Sequence, residues 1–393
     1  MSKTIFVIFL LMSINAAAQK TNFKQLAAEL QTLQKQLVPD KRTAILTVSL
    51  KDTSSSRFIV SGNVDIPENK EQIIQFLNGK NLKFVDSLNV LPDAKLGDKT
   101  WGLVKLSVAN IRTIPAHAGE MATQALMGTP VKILDEKGEW WLIQTPDRYI
   151  GWTNHGAVVP KTAVEMTNWK QSRRFIYNRL NGFAYSAPDK KAMPATDLVI
   201  CDLFEVTGES KGYLQALLPD GRIVFVKKNE CLSFDEWTGK PLQISSVAKV
   251  AQQMMGVPYF WGGTSSKAVD CSGLTKTCYY SQGVVLARDA SQQVRYGMHP
   301  DFSDYQKLQP GDLIFFGSSA QRVTHVGLCL GNGLFIHASG SSAMVRLNSL
   351  NPNDPLFDVS LLKILVGSSR IANSLNSEGI TLVKDHSWYS VTN

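Results

Sequence analysis

The residues most suited to chemistry lie in the last third of the chain. Asp270-Cys271-Ser272-Gly273 places a thiol just ahead of a helix-like run, Leu274 to Ser281, which Gly283 stops. A thiol at a helix N-terminus meets the positive end of the helix dipole and unpaired N–H groups, and both favour the thiolate. The same N–H groups can hold an oxyanion during acyl transfer. A Cys met alone reads as a small buried hydrophobe, and Cys278, two helical turns further on, is read that way. Asp270 reads as the helix N-cap.

Downstream, Thr324-His325-Val326-Gly327 opens a strand and Phe335-Ile336-His337-Ala338-Ser339 forms another. The midpoint between the two histidines is residue 331, inside the turn Gly331-Asn332-Gly333. One hairpin can therefore set the two imidazoles face to face. A thiol, a histidine base and a third group that orients the base are what a thiol acyl-transfer enzyme requires. Either histidine alone would read as structural; the pair on one hairpin behind a helix-starting Cys points to catalysis.

The elements that must position these groups form an α+β segment. Ser245 to Met255 reads as a helix, then comes the Cys271 helix, then strands at Leu313–Phe316, His325–Leu330 and Leu334–His337. Upstream the texture is β-rich. Gly102–Ser107, Pro130–Leu134, Trp140–Gln144 and Arg148–Trp152 read as short strands, followed by Leu198–Val206, Tyr213–Leu218 and Arg222–Lys227 around the hairpin turn Pro219-Asp220-Gly221. Two consecutive small barrels are expected. Further upstream, Leu26, Leu30, Leu33 and Leu37 make a helical stripe ended by Pro39, and Ile45–Leu50, Phe58–Val60 and Asn69–Leu77 read as two strands and a helix.

At 393 residues the chain is long enough for several domains, and 44% hydrophobic with 19% charged residues is an ordinary globular composition. The net charge of +8 is diffuse, which suits an anionic wall polymer or peptide and disfavours nucleic acid. Met1-Ser2-Lys3, the apolar run Ile5–Ile14 and Ala16-Ala17-Ala18 read as a signal peptide, too short to span a membrane. No integral membrane contact is expected. Five cysteines without a CxxC pair give no support for a zinc site, and the odd count invites a free reactive thiol.

Tyr259-Phe260-Trp261-Gly262-Gly263, Asp270-Cys271-Ser272-Gly273, Gly311-Asp312-Leu313, His325-Val326-Gly327 and His337-Ala338 resemble, in order and spacing over residues 240–370, the NlpC/P60 peptidases. Cys329 departs from them, where an aromatic residue is common. The upstream stretch Ser107–Arg112 through Glu120 to Leu126, with Asp147–Trp152, resembles a bacterial SH3 domain, and 170–235 does so more weakly. The whole resembles the γ-D-glutamyl-L-diamino acid endopeptidases of cell-wall recycling. The resemblance implies a papain-like catalytic domain, preceded by two small SH3-like β-barrels and an N-terminal α/β segment. The expected divisions are 1–18 signal peptide, 19–95 α/β segment, 96–160 and 161–236 SH3-like domains, and 237–393 peptidase.

It implies Cys271 as nucleophile, His325 as base, His337 as orienting residue and Tyr259 near the oxyanion. The implied substrate is a muropeptide with a free N-terminal L-Ala, followed by γ-linked D-Glu and meso-diaminopimelate or L-Lys. Asp270 and Glu120, then Tyr149, are expected around its ammonium. Trp261 and Ser272 are expected to shape the pocket, and Ser291 to bond the glutamyl α-carboxylate or cap the next helix. No metal or cofactor is expected; the protein is expected to be a periplasmic or secreted monomer. The rival readings are another amidase or acyltransferase on the same fold, and a wall-binding protein with an inactive peptidase domain.

Overall fold

The computed structural model describes residues 23–52 and 58–391, so the expected signal peptide lies outside the described residues. The chain divides into two compact units at Leu96/Gly97. In the first, the helix 23–37 buries Leu26 and Leu30, and the chain leaves it at Val38-Pro39. Strands Ser49–Asp52 and Phe58–Val64 pair antiparallel. The helix Pro67–Gly79, opened by a proline at a position that needs no N–H, then crosses to a parallel strand, Phe84–Val90. Ile73 and Leu77 of this crossover are fully buried. The segment is the expected small α/β unit, with a third strand the sequence reading did not include.

The second unit, Gly97–Asn393, contains everything else. Two seven-stranded antiparallel sheets come first. One consists of Trp101–Val104, Val108–Arg112, Met121–Leu126, Pro130–Lys137, Trp140–Gln144, Ile150–Asn154 and Val158–Lys161. The other consists of Arg174–Tyr177, Asn181–Tyr185, Pro194–Val199, Leu203–Ser210, Tyr213–Leu217, Ile223–Lys227 and Cys231–Ser233. With the strands of each sheet counted from one, both run 7-1-4-5-6-2-3. The second sheet therefore repeats the topology of the first. In neither do the outermost strands pair with each other, which corrects the expectation of closed barrels.

The expected single strand Leu198–Val206 is two strands. Cys201 turns the chain with φ +72°, and the fully buried carboxylate of Asp202 accepts the N–H groups of Val199 (2.8 Å) and Met127 (3.0 Å). That second bond is also a tie between the sheets. Beside it, Leu203 N–H donates to Met127 C=O at 2.9 Å. Gly128, at φ +72°, is pressed against the Leu203 carbonyl where any Cβ would collide. No polar linker separates these pieces because the apolar cores run across the expected boundaries. One cluster joins Leu103, Trp169, Ile176, Leu203, Trp237, Val285 and Tyr389.

The remaining residues build a five-stranded antiparallel sheet ordered Met344–Ser349, Leu334–Ser339, Arg322–Gly331, Leu313–Ser319, Leu365–Ser369. The buried helix Cys271–Tyr280 packs against it, with Ile244–Gln253 on its other side. Leu274 and Cys278 of the first helix, Val250 of the second, and Val326, Leu328 and Ile336 of the sheet share one apolar core. Cys278 is an inert part of that core.

The inter-sheet lock at Gly128 is open to test by denaturant unfolding. Gly128→Ala combines positive-φ strain with a backbone clash and should cost about 3 kcal/mol or more. Gly138→Ala, at φ +58° with open space around it, should cost only about 1 kcal/mol. Equal losses at the two sites would remove the lock from the account.

Candidate active site

Cys271 is the first residue of its helix, and Asp270 caps it by accepting the Gly273 N–H at 2.7 Å. Gly273 has to lack a side chain here because the Gly263 carbonyl occupies the place of a Cβ. The Cys271 thiol is buried, and the backbone N–H of Val326, the residue after His325 on the neighbouring strand, acts on it. His325 Nε2 lies 2.7 Å from His337 Nδ1. The ring nitrogen of His325 left for the thiol is therefore Nδ1.

The two histidines are not directly opposed, as the turn-centred count predicted. The ladder pairs Leu328 with Ile336 and then shifts register between Cys329 and Gly331. Continued from Leu328, that register sets residue 327, not His325, across from His337. The imidazoles are diagonal neighbours on one face, within side-chain reach. Without the bulge, the Gly331–Leu334 pairing would carry on to set Leu328 across from His337 and put the two histidines on opposite faces; the bulge brings them onto one.

Burial decides the charge states. It pushes the Cys271 thiol up to about 12, with the Asp270 carboxylate adding to the effect; the Val326 N–H and the Arg288 guanidinium oppose it. Burial, then the neighbouring His337, pushes His325 down to about 3. His337 is lowered as well, first by burial, with the bond to Asn348 opposing. The helix end by itself favours a thiolate, but desolvation outweighs it. The resting pair is a neutral thiol beside a neutral imidazole. Tyr259, half-buried, is raised to about 12 by burial and then by Cys271 and Asp270, so its hydroxyl keeps its proton next to the thiol.

Asp270 was expected to meet a substrate ammonium. Its oxygens accept the Gly273 and Gly262 N–H groups and both Arg288 Nη atoms, at 3.1 Å to Oδ1 and 2.6 Å to Oδ2. Arg288 is fully buried, and Asp270 is the main partner holding its guanidinium protonated. It already supplies the cation that offsets the carboxylate beside Cys271. Ser272 belongs to the same cluster: it is buried, donates to Asp270 and accepts from Arg288 Nη1 at 2.9 Å. Its hydroxyl thus bridges the carboxylate and the guanidinium. Arg288 Nε donates to Thr123 Oγ1 at 2.8 Å, so the first sheet reaches the base of the nucleophile.

The other expected residues meet at the junction of that sheet with the peptidase segment. Trp261, 62% exposed, donates its indole N–H to Glu120 Oε1 at 2.8 Å. Tyr149 is buried, with its hydroxyl donating to Asp289 Oδ2 at 3.1 Å. Ser291 lies in the first turn of the short helix Ala290–Gln293, whose N-cap is Asp289, so the alternative of Ser291 as cap is not realised. Asp289 was missed. It is partly exposed and next to Arg288, and its sequence signal was the Arg-Asp pair directly before a helix-like stretch. Among the described residues no cluster of three or more His, Cys, Asp or Glu is placed to hold a metal ion.

Residues 256–357 match the NlpC/P60 family, and residues 111–157 match the bacterial dipeptidyl-peptidase SH3 domain. The chain is 26% identical over 285 residues to a gamma-D-glutamyl-L-lysine dipeptidyl-peptidase of Bacillus cereus, covering 68% of this chain and 82% of that one. It is 27% identical over 279 residues to dipeptidyl-peptidase 6 of Lysinibacillus sphaericus, covering 68% and 98%. A crystal structure of an NlpC/P60 family protein from Bacillus cereus superposes with a TM-score of 0.60 at 23% identity, covering 69% of this chain and 99% of that one, and so shares its fold. The chain thus carries an NlpC/P60 cysteine peptidase domain, with a bacterial dipeptidyl-peptidase SH3 domain ahead of it.

Proposed function

We propose that this protein is an exported cysteine endopeptidase, monomeric and periplasmic or secreted, that hydrolyses the γ-D-glutamyl bond to meso-diaminopimelate or L-lysine in short cell-wall peptides with a free N-terminal L-Ala. The observation that carries the reaction class is the Cys271 thiol against Val326 N–H, beside a His325 held by His337 at 2.7 Å. The substrate class is supported by the relatives named for γ-D-glutamyl-L-lysine peptides and by the SH3 domain that meets the peptidase segment next to the thiol. Export is supported by the pattern of residues 1–18.

In this reading, Cys271 attacks the γ-carbonyl while its proton passes to His325 Nδ1. His337 holds the ring in place. Backbone N–H groups at the helix start and the Tyr259 hydroxyl receive the oxyanion. His325 returns the proton to the leaving amine, and water, deprotonated by the same nitrogen, clears the thioester. The dipeptide L-Ala-D-Glu and the free diamino acid end are the products.

The ammonium of L-Ala is assigned to Asp289, with Tyr149 beside it, and to Glu120 on the rim with Trp261. Glu120 is exposed, so its pairing is screened and weak. Asp289 is more enclosed and carries more of the recognition.

Peptide cleavage followed by mass spectrometry tests this. L-Ala-γ-D-Glu-diaminopimelate should yield L-Ala-D-Glu and diaminopimelate. The N-acetyl form should react about a hundredfold more slowly, the scale of losing a charged hydrogen bond in an enclosed site. Asp289→Asn should narrow that gap more than Glu120→Gln does. Equal cleavage of free and capped peptide would overturn the assignment of the amine site.

The pH profile is a second check. The base works in its neutral form, and a lowered pKa keeps His325 neutral to more acid pH. The acidic limb of kcat/KM should therefore fall below the ordinary imidazole value of 6.5. A limb at or above that value would contradict the dry environment assigned to His325.

A further inference from the structure

The hydrogen-bond chain does not stop at His337. His337 Nε2 lies 3.0 Å from Asn348 Oδ1, and Asn348 Nδ2 donates to Asp358 Oδ2 at 3.3 Å. The other Asp358 oxygen accepts the N–H groups of Ser360 (3.0 Å) and Leu361 (3.1 Å), which holds the carboxylate in place. The register explains the alignment. Phe335 pairs with Asn348 and His337 with Arg346, so Asn348 is the diagonal neighbour of His337. His325 stands diagonally on the other side. A single stripe thus crosses three adjacent strands and ends on Asp358, the N-cap of the helix Val359–Lys363. His337 is 3% exposed and Asn348 6%, so solvent does not stand in for either partner.

Donor and acceptor chemistry gives this chain a direction. A carboxylate accepts, so the amide atom facing Asp358 is the NH2 group. Asn348 therefore turns its oxygen to His337, and an amide oxygen only accepts. His337 carries its proton on Nε2, which leaves Nδ1 as an acceptor. His325 must then donate from Nε2, and its Nδ1 keeps a lone pair. Turning the Asn348 amide over reverses every bond in the series and puts a proton on His325 Nδ1, where a base is needed.

We propose that Asn348 and Asp358 are positioning residues that set the tautomers of both histidines, so that His325 offers an unprotonated Nδ1 to Cys271. The proposal rests on reading Cys271 as nucleophile and His325 as base. It adds two residues to that site. Asp358 lies just beyond the segment matched to the family. Holding the correct tautomer is a recognised function of the group behind a catalytic histidine.

The test combines spectroscopy with a substitution cycle on the full-length protein. Two-bond 1H–15N spectra of 15N-histidine protein, assigned with His325→Ala and His337→Ala, should show both rings protonated on Nε2. On L-Ala-γ-D-Glu-diaminopimelate, Asn348→Leu should lower kcat about tenfold or more with little change in KM. Asp358→Ser keeps a hydroxyl for the Ser360 and Leu361 N–H groups but loses Asn348, and should lower kcat severalfold. In an Asn348→Asp background both oxygens at 348 accept, so there is no amide to orient and Asp358→Ser should cause no further loss. Should Asn348→Leu fail to fold, the wild-type spectrum and the Asp358 cycle still decide. Protonation of His337 on Nδ1 in the wild type, or the same loss from Asp358→Ser in both backgrounds, would overturn the proposal. Retained activity in His325→Ala would instead sink the reading of the site beneath it.

Discussion

The buried ion pair between Arg288 and Asp270 is the constraint on which the rest of the site depends. It removes a guanidinium and a carboxylate from water, which is costly unless every polar atom finds a partner. The partners supplied are the parts the site must align: Gly273 N–H at the nucleophile helix, Gly262 N–H in the loop between Tyr259 and Cys271, Ser272, and Thr123 of the first sheet. Satisfying one charge pair thereby fixes the start of the Cys271 helix relative to the SH3 domain. It also places a cation where the Asp270 charge would otherwise bear on the thiol alone.

Around that anchor the reacting groups are kept dry and neutral. Burial raises the thiol and lowers the imidazole, so neither is charged at rest. The cost of separating charge is then met at the moment of attack, when the helix N–H groups and Tyr259 have an oxyanion to bind. Such a site relies on the direction of its hydrogen bonds more than on a standing ion pair. Diagonal spacing across consecutive strands provides that direction: each side chain reaches the next without facing it squarely. The bulge between Cys329 and Gly331 changes the offset between His325 and the residue across from His337 from three to two, which puts both imidazoles on one face of the sheet.

Much of this was legible in the sequence, and the exceptions have physical causes. The Cys271 helix and the histidine hairpin follow from motif and spacing. The diagonal offset does not, because the midpoint count centres the turn at residue 331, whereas the Gly331–Leu334 pair centres it between Asn332 and Gly333 and a bulge follows. The buried counter-ion of Asp270, Arg288, was not foreseen because it lies 18 residues away with nothing to mark the contact. Asp289 was overlooked because an acid before a helix reads as a cap, and here it caps and also meets Tyr149. The second sheet repeats the first in topology, but its hidden turn at Cys201 and Asp202 lies inside an apolar run that reads as continuous strand. The signal-like N-terminus lies outside the described residues.

The central claim is that Cys271 forms a covalent thioester with the γ-carboxyl of the glutamyl residue. Rapid acid quenching during turnover of L-Ala-γ-D-Glu-diaminopimelate, followed by intact-mass analysis and peptide mapping, tests it most directly. The account predicts an L-Ala-γ-D-Glu adduct on the peptide containing Cys271, lost on treatment with hydroxylamine and absent from Cys271→Ser. An adduct on Cys278 or another residue, or full turnover by Cys271→Ser, would contradict it.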